Sequence, residues 1–294
     1  MKLAVVILNF NGLENTLECL ESVRRCASGP NKVEIIVVDN NSQDGSQEAL
    51  AKLKDIHLIQ NTDNIGYSGG NNVGIKKALE RKADAVIILN NDTSVDKNLI
   101  LKLAAVLKSA DIASPKIYFA KGFEFHKNRY KGDQLGRVIW YAGARIDWDN
   151  IIGTHIGVDE VDVGQLDRRA EIDLATGACM IVKREVFEKI GAFDEKYFLY
   201  LEDMDFCVRA RRANFKIVYA PKAILWHKNA GAIGSGSALQ DYYFTRNRLR
   251  FAAKYAKIRT KIAVAKQILG SVANPIKRKA LFDFLTFNFG RANI

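Results

Sequence analysis

Three carboxylates lie within four consecutive positions of the segment 202–205. They belong to Glu202, Asp203 and Asp205, and an aromatic-rich stretch precedes them. Neighbouring carboxylates repel each other and partial burial raises a carboxyl pKa, so one of the three could act as a general base. The same residues would also suit the acidic first turn of a helix, where the helix dipole favours negative charge. The two interpretations are compatible.

Another acidic position follows an apolar run that ends at Leu89. Asn90-Asn91-Asp92 comes directly after this run, and oxygen ligands at a strand end can hold Mg²⁺ or Mn²⁺ together with diphosphate oxygens. A simple turn is the alternative, because Asn and Asp favour turns. His227 follows a further apolar run, and a lone histidine there is typical of a core or capping residue unless other metal ligands lie nearby.

Polar residues also follow the first two predicted strands. Asn9 and Asn11 follow the first strand, and Asp39 follows the second. Ligands of open parallel sheets bind beyond the carboxyl ends of the strands, where a carboxylate can hydrogen-bond a base edge or a ribose hydroxyl. Helix capping is the alternative for Asp39, and taken alone it is favoured, because Asp39-Asn40-Asn41-Ser42 opens a predicted helix.

Three glycines, Gly66, Gly69 and Gly70, precede a predicted helix at 71–81. Backbone N–H groups in such a segment can approach a phosphate closely, and a helix N-terminus favours negative charge. The segment matches neither the P-loop motif nor the glycine motif of dinucleotide-binding folds. The sequence therefore argues against a P-loop ATPase and a dinucleotide-dependent reductase.

The elements that must position these residues alternate along the first half of the chain. The predicted strands are 3–8, 33–38, 56–60, 85–89, 180–183 and 216–220, and the predicted helices are 14–26, 44–53, 71–81, 96–108, 184–190, 203–212, 241–255 and 258–269. Such alternation predicts a parallel sheet with helices on both faces. Residues 121–136 are predicted as a long loop, 138–175 as a short antiparallel pair, and the glycine-rich stretch 229–236 as a mobile loop.

Composition bounds the class of protein. Hydrophobic residues make up 48% and charged residues 26% of the 294, which excludes a disordered or collagen-like chain. No apolar run approaches the ~20 residues of a membrane-spanning helix, and no secretory signal is expected. The four cysteines form no C-x-x-C pair, which favours a reducing cytoplasm.

Positive charge is concentrated at the C-terminal end. Residues 241–294 contain 12 basic and 2 acidic residues, a net charge of +10, and the first 240 residues carry the remaining +1. Apolar residues are interleaved with these charges, which predicts either contact with an anionic membrane surface or packing on the body or on a second subunit of a homodimer. No RNA- or DNA-binding motif occurs, so nucleic acid is not an expected partner.

Together these motifs resemble the family 2 glycosyltransferases with the GT-A fold, and in pattern the bacterial rhamnosyltransferase-type enzymes. The resemblance covers residues 1–250 and rests on eight segments in order: Val5-Val6-Ile7-Leu8-Asn9-Phe10-Asn11, Val37-Val38-Asp39-Asn40-Asn41-Ser42, Asn64-Ile65-Gly66-Tyr67, Leu89-Asn90-Asn91-Asp92, Ala175-Thr176-Gly177-Ala178, Phe193-Asp194-Glu195, Leu201-Glu202-Asp203-Met204-Asp205 and Trp226-His227-Lys228.

The resemblance implies an α/β fold with a mostly parallel Rossmann-like sheet flanked by helices, a short antiparallel pair and a C-terminal helical appendage. The catalytic domain would span 1–240, with a nucleotide-binding half at 1–115 and an acceptor half at 116–240. Residues 241–294 would form the basic amphipathic tail.

The family pattern also implies roles for individual residues. Base and ribose would be held near Asn9, Asn11 and Asp39, with Gly66, Tyr67 and Asn71 in a loop over the nucleotide. Asn90-Asn91-Asp92 matches the D-x-D motif with Asn in its first position, and Asp92 would ligate Mg²⁺ or Mn²⁺ with His227 completing the site. Asp203 would be the catalytic base beside Glu202, and Thr176-Gly177-Ala178 would line the pocket for acceptor and sugar.

The activity implied is inverting transfer of a sugar from a dTDP- or UDP-linked donor, with rhamnose as the first expectation. The acceptor would be a hydroxyl of a glycan or a lipid-linked glycan in cell-surface polysaccharide synthesis, at the inner face of the membrane. A catalytically impaired GT-A scaffold and a sugar-phosphate nucleotidyltransferase are the alternatives. The latter usually carries a glycine-rich segment with Lys or Arg after the first strand, where this chain has Asn9-Phe10-Asn11-Gly12.

Overall fold

A computed structural model of the chain describes residues 1–229 and 237–292. Its strands are β1 (Lys2–Asn9), β2 (Lys32–Asp39), β3 (His57–Gln60), β4 (Ala85–Asn90), β5 (Thr93–Val95), β6 (Ile112–Phe119), β7 (Ile139–Tyr141), β8 (Ala144–Asp147), β9 (Ile152–His155), β10 (Ala170–Glu171), β11 (Cys179–Lys183) and β12 (Ile217–His227). Its α-helices are α1 (Leu13–Arg24), α2 (Ser46–Ala51), α3 (Gly66–Glu80), α4 (Leu99–Val106), α5 (Arg184–Ile190), α6 (Glu202–Arg212), α7 (Ala238–Tyr255), α8 (Ile258–Leu269) and α9 (Pro275–Leu285).

One large sheet carries the site, in the order β10-β12-β6-β11-β4-β1-β2-β3. Strands β4, β1, β2 and β3 are mutually parallel, whereas β11 runs antiparallel between β4 and β6. Asn9 is in register with Asp39, and Leu8 with Asn90. The polar residues that end these three strands therefore lie at one edge of the sheet, as the alternation of strands and helices predicted.

The parallel strands are buried because helices cover both faces of the sheet. Leu3 to Ile7 of β1 and Ala85 to Leu89 of β4 are at most 1% exposed. Helix α3 packs very closely here, since a Cβ built on Gly74 would lie 2.3 Å from a methyl group of Val6. This close approach explains why α3 tolerates glycine in its interior.

The glycine-rich segment is helical rather than a loop. Helix α3 begins at Gly66, five residues before the predicted start, so Gly66, Gly69 and Gly70 lie in its first two turns. A Cβ on Gly70 would lie 2.4 Å from Leu8, which shows why a small residue is required. The expectation that Gly66, Tyr67 and Asn71 form a loop is therefore wrong. The glycines suggested a loop, but these residues are helical because the glycines allow α3 to pack closely on β1.

Two strands of the second half differ from the sequence prediction. Strand β6 was not predicted, because Pro115 and Lys116 interrupt its apolar run. Lys116 is nonetheless 1% exposed and pairs with Asp162 at 2.7 Å. Strand β12 continues to His227 instead of ending at 220, through a register shift between Ala220 and Ile224.

A short antiparallel pair, β8 with β9, confirms the prediction for 138–175.

Helix α7 is integrated into the body, because Tyr242, Tyr243, Asn247 and Phe251 are at most 1% exposed. Helix α9 was not predicted. The mobile loop predicted at 229–236 lies almost wholly outside the described residues. Among the helices that are described, none is long and apolar enough to cross a bilayer.

Candidate active site

A hydrogen-bonded network joins the ends of β1, β2 and β4. The Asn9 amide donates to Asp39 at 2.7 Å, and the Asn91 amide donates to the Asn9 oxygen at 3.3 Å. Thr16 of α1 donates to the same Asn9 oxygen at 2.7 Å and accepts from Asn91 at 2.9 Å. Three of the predicted site residues, far apart in the chain, are therefore brought together.

Asp39 is fully buried, and its carboxylate accepts four hydrogen bonds from protein groups. The donors are the Asn9 amide, the backbone N–H and hydroxyl of Ser42, and the Gln47 amide. The capping interpretation is wrong, because α2 begins at Ser46 with Gly45 as its N-cap and no side chain caps it; Asp39 instead holds a local turn through the Ser42 N–H. Asn11 links the loops after β1 and β2. Its side-chain oxygen accepts from the Gln43 N–H at 2.7 Å, and its backbone N–H donates to the Ser42 hydroxyl. Both residues hold the loops that follow β1 and β2.

Asp92 and His227 meet although 135 positions separate them. Asp92 Oδ1 lies 3.0 Å from His227 Nε2, and both side chains are under 10% exposed. Strand β12 delivers the histidine, because His227 is in register with Thr93 of β5, the residue after Asp92. The fold therefore brings Asp92 and His227 together, and their role as metal ligands stays a prediction.

The Asp92–His227 pair fits a hard divalent cation. Two neighbouring ligands at about 2.1 Å from an octahedral ion lie about 3.0 Å apart, which matches the observed separation. His227 Nδ1 is buried and has no hydrogen-bond partner among the described residues, so the ring has no polar anchor besides Asp92. No cluster of three His, Cys, Asp or Glu residues suited to a metal occurs in the described ranges. The remaining ligands would be substrate oxygens and water, as is usual for Mg²⁺.

The turn at residues 176–178 connects Asp203 to Asn90 at the end of β4, two residues before Asp92. The Gly177 N–H donates to Asp203 at 3.0 Å, and the Asn90 N–H donates to the Ala178 carbonyl at 3.0 Å. Tyr67 of α3 closes the arrangement, because its hydroxyl donates to the Gly177 carbonyl at 2.6 Å. A Cβ on Gly177 would lie 2.8 Å from that hydroxyl, so the turn requires glycine.

Three carboxylates influence the Tyr67 hydroxyl. Burial, followed by the negative charges of Glu202, Asp203 and also Asp92, raises the pKa of Tyr67 well above its usual range. The predicted general base Asp203, its neighbour Glu202 and the predicted metal ligand Asp92 therefore all lie close enough to Tyr67 to affect its pKa. Asp92 and Asp203, 111 positions apart in sequence, both act on this hydroxyl.

Glu202 and Asp203 begin α6 and differ in their surroundings. Asp203 accepts from the N–H groups of Gly177 and Met204, whereas Glu202 Oε2 is buried with no partner among the described residues. Burial and the adjacent Asp203 charge raise the pKa of Glu202 well above its usual range. Burial also raises the pKa of Asp203, opposed by its two backbone hydrogen bonds. A carboxylate with a raised pKa that keeps a hydrogen-bonded geometry suits a general base.

The backbone before this pair is strained. Phe198, Tyr200 and Leu201 have φ of 61°, 69° and 69°, in the left-handed region that non-glycine residues avoid. Such a conformation costs about 1–2 kcal/mol per residue, so surrounding contacts must hold it. Gly66 touches this segment directly, because a Cβ there would lie 2.6 Å from the Phe198 carbonyl oxygen.

Several site residues escaped the sequence prediction. Trp140 packs edge-on against His227 with ring centroids 4.7 Å apart, and its carbonyl contacts His155 Nδ1 at 3.1 Å. Burial lowers the pKa of the His155 imidazole to about 4. Thr16 and Ser42 were also missed as network members, although hydroxyl residues beside the strand ends were a usable signal. Nothing in the sequence around Trp140 pointed to the cleft.

Comparison with known proteins places this geometry in a family. The model of the family described as glycosyl transferase family 2 matches residues 4–191, which is more than half of the chain. The chain belongs to glycosyl transferase family 2. This family 2 chain is 31% identical over 218 residues to the low-salt glycan biosynthesis hexosyltransferase Agl10 of Haloferax volcanii, covering 73% of the chain and 63% of that protein. The resemblance inferred from the eight segments is confirmed.

Two further relatives are named rhamnosyltransferases. The family 2 chain is 28% identical to the N-acetylglucosaminyl-diphospho-decaprenol L-rhamnosyltransferase of Mycobacterium tuberculosis, covering 70% of each chain. It is 27% identical to the dTDP-rhamnosyl transferase RfbF of Shigella flexneri, covering 72% of this chain and 68% of that one. The matched region thus spans about two thirds of the length of these relatives.

Solved structures share the fold at low sequence identity. GalNAc-T7 with UDP, GalNAc and Mn²⁺ superposes with a TM-score of 0.61 at 15% identity, covering 90% of this chain and 54% of that one. The mannosyltransferase PcManGT from Pyrobaculum calidifontis, with GDP-Man and Mn²⁺, gives 0.55 at 15% identity, covering 97% and 75%. The family 2 chain therefore has the GT-A fold.

Proposed function

We propose that this chain is an inverting glycosyltransferase in which Asp203 is the general base. The acceptor hydroxyl gives its proton to Asp203 as its oxygen forms a bond to C1 of the donor sugar. The bond from C1 to the diphosphate oxygen breaks, and its electron pair leaves with the nucleoside diphosphate. The observation that carries the proposal is that Asp203 accepts from the Gly177 N–H, while Tyr67, which donates to the Gly177 carbonyl, is under the influence of both Asp203 and Asp92.

Asp92 and His227 would hold a divalent cation, Mg²⁺ or Mn²⁺. When bound, such an ion offsets the charge that develops on the leaving diphosphate. Asn91, the residue before Asp92, is anchored by its amide to Thr16 and Asn9. The two solved structures with Mn²⁺ support this assignment by fold.

The donor class that we propose is a dTDP-linked sugar, with rhamnose first. The support is that the Mycobacterium and Shigella relatives are named rhamnosyltransferases, the latter for dTDP-rhamnose, and a UDP-linked donor is the next choice. The proposed acceptor is a glycan hydroxyl, carried on a polyprenyl diphosphate as the name of the Mycobacterium relative indicates for that protein.

Helices α8 and α9 would place the enzyme on an anionic membrane surface where such an acceptor resides. On α8, Ile258, Ile262 and Leu269 are 74%, 50% and 56% exposed and lie on one face, at a spacing of four and seven residues. Phe282, Leu285 and Phe287 at α9 are 63%, 62% and 81% exposed. Exposed apolar side chains among surplus basic residues match an interfacial helix on anionic lipid.

The Asp203→Asn variant tests the catalytic proposal. Asparagine keeps an oxygen to accept from Gly177 but cannot take a proton, so we expect kcat to fall by about 10²–10⁴-fold with the fold intact. Nucleoside diphosphate affinity, measured by calorimetry with Mn²⁺, should stay unchanged. Asp44→Asn, at the start of α2, is the matched control and should retain activity. Full activity of Asp203→Asn would contradict the proposal, and an inactive wild type that still binds nucleotide would favour the impaired scaffold.

The Asp92→Ala variant tests the metal assignment. Removal of one of two protein ligands should raise the Mn²⁺ concentration needed for half-maximal nucleoside diphosphate binding by about 10–100-fold. The measurement is a calorimetric titration of dTDP, UDP and GDP at a series of Mn²⁺ concentrations, which also identifies the base. An unchanged Mn²⁺ dependence would remove Asp92 from the metal site.

A further inference from the structure

The segment Tyr197–Leu201 leads directly into the Glu202–Asp203 pair, and its path is held from outside. Helix α6 has Leu201 as its N-cap residue, and no side chain caps the helix there. Phe198, Tyr200 and Leu201 are all left-handed, so the segment does not hold this conformation by its own preferences. What fixes the direction in which the carboxylates enter the cleft must therefore lie elsewhere in the molecule.

Asn247 of α7 binds the backbone of this segment. Its amide group donates to the carbonyl oxygens of Tyr197, Leu199 and Tyr200 at 2.8, 2.7 and 2.9 Å. Asn247 is completely buried, and its own oxygen accepts from Arg246 Nε at 3.2 Å. The two N–H hydrogens of this amide serve three carbonyls, so one hydrogen is shared between two of them, and the Tyr197 carbonyl also accepts from the Leu199 N–H at 2.7 Å.

Arg246 completes the contact from the same turn of α7. It is 0% exposed, and its guanidinium donates to the Tyr197 carbonyl at 3.2 Å and to the Gly290 carbonyl at 2.9 Å. The rings of Tyr243 and Phe289 lie 4.9 and 5.8 Å from the guanidinium carbon. A buried arginine therefore ties the catalytic segment to both α7 and the stretch that follows α9.

Two stacked ring pairs and α3 hold the segment from its other sides. Phe198 stacks on Tyr243 with centroids 5.2 Å apart, and Tyr200 stacks on Phe244 at 4.7 Å. The Phe198 carbonyl accepts from the Ser68 N–H at 3.2 Å, in the first turn of α3. The segment is therefore fixed between the nucleotide-side helix and the C-terminal helix.

We propose that Arg246 and Asn247 are positioning residues that orient the Glu202–Asp203 pair through the backbone of 197–201. This proposal rests on the proposed function, because it assigns the C-terminal helix a task only if Asp203 is the base. It assigns α7 to the catalytic apparatus rather than to an appendage. Asp203 would then be placed to reach the acceptor hydroxyl only when α7 is packed against the segment 197–201.

The Asn247→Asp variant is the sharpest test, because aspartate has the same shape but cannot donate to the three carbonyls. Misplacement of a catalytic group by about 1 Å can cost about 100-fold in rate, so we expect kcat to fall about 10–100-fold. The KM for the donor and the affinity for nucleoside diphosphate should remain as in the wild type, since the residues proposed for the nucleotide side do not contact Asn247. Calorimetric stoichiometry of one nucleotide per chain verifies that all of the variant is folded.

Arg248→Ala is the matched control on the same helix. Its Nε donates to the Asn150 carbonyl, away from the 197–201 segment, so kcat should not change. Asn247→Ser, which keeps one donor, is the second variant and should show a smaller fall in kcat with the same KM.

The outcomes separate this proposal from the proposed function. If Asp203→Asn is inactive while Asn247→Asp keeps wild-type kcat at full nucleotide stoichiometry, the positioning role alone is wrong. The positioning role would also be wrong if kcat fell only in proportion to the loss of nucleotide stoichiometry. It would be wrong, too, if both Asn247 variants failed to fold, because the contact would then be purely structural. If Asp203→Asn stays active, the base assignment itself fails.

Discussion

Glu202 and Asp203 are sequence neighbours with different electrostatic environments. Asp203 has two backbone N–H partners, whereas Glu202 Oε2 is buried without a partner among the described residues and next to a negative charge. The neutral form of Glu202 is therefore favoured over its charged form in the folded state. Because the Asp203 charge itself raises the pKa of Glu202, the two carboxyls differ in how readily they ionise.

The stability of the protein should reflect the Glu202 pKa. The folded-state pKa lies above the ordinary value of 4.5, so the folded state binds more protons than the unfolded state above that pH. The contribution of Glu202 to stability is therefore fully present at low pH and is lost as pH rises toward the folded pKa. Glu202→Gln stays neutral, so we expect its free energy of unfolding relative to the wild type to rise as the pH increases above the ordinary value of 4.5.

Urea denaturation of both proteins at a series of pH values measures this difference. Glu195→Gln is the control, because Glu195 is an exposed carboxylate before α6. Parallel pH profiles for Glu202→Gln and wild type would show that Glu202 has the same pKa in the folded and unfolded states.

At the scale of elements, the start of α3 is decided by contact with the segment 197–201. Gly66 and Gly45 both begin helices with φ of 81°, so an alanine at either position carries the same left-handed backbone cost of about 1–2 kcal/mol. They differ in space, because a Cβ on Gly66 meets Phe198 at 2.6 Å and a Cβ on Gly45 meets nothing within 4 Å.

The pair Gly66→Ala and Gly45→Ala isolates that contact. We expect Gly45→Ala to lower the free energy of unfolding by about 1–2 kcal/mol and Gly66→Ala to lower it further by at least about 1 kcal/mol. Gly66→Ala should also reduce kcat, since it displaces the backbone that leads to Asp203. Equal destabilisation by the two substitutions would mean that Phe198 moves freely away.

Local sequence predicted most elements of the first half and failed at particular places for physical reasons. The strands at 3–8, 33–38 and 85–89 were found within about two residues, because buried parallel strands are continuous apolar runs. Strand β6 was missed because the charge of Lys116 is neutralised by Asp162, a partner 46 residues away. The predicted range of α3 was too short because its glycines serve close packing, and the sequence spacing does not reveal that packing.

At the scale of the whole molecule, the C-terminal region has two parts with different surroundings. Helix α7 contributes Leu249, Phe251 and Ala252 to the main core, whereas α8 and α9 expose several of their apolar residues. Removing residues 241–294 would therefore strip the core as well as any membrane contact. The boundary at 240 stays a prediction, and point variants are the appropriate way to test the surface.

Membrane contact should depend on the exposed residues of α9. Replacing Phe282, Leu285 and Phe287 with Ser should lower binding to vesicles containing anionic lipid at least about tenfold, because fully burying one such side chain is worth about 1.5–3 kcal/mol. Val163→Ser, at a position 81% exposed in the body, is the control and should bind as the wild type does. Flotation on anionic and neutral vesicles is the measurement. Unchanged flotation with loss of a dimer in sedimentation would identify the face as a subunit contact instead.

Short windows of sequence are sufficient to predict the alternation of strands and helices and the polar residues at the strand ends. These features are local, because apolar periodicity and the residue after each strand can be identified within a short window. The sequence also indicates the family, through eight short segments in order.

Which of these residues come into contact depends on how the chain folds. Strand β12 carries His227 to Asp92, the Gly177 turn carries an N–H to Asp203, and α7 carries Asn247 to the backbone before that base. Each contact joins residues between 26 and 135 positions apart, and it depends on sheet order and helix packing rather than on neighbouring residues. The chemistry of the side chains is therefore local, whereas the contacts between them are a property of the fold.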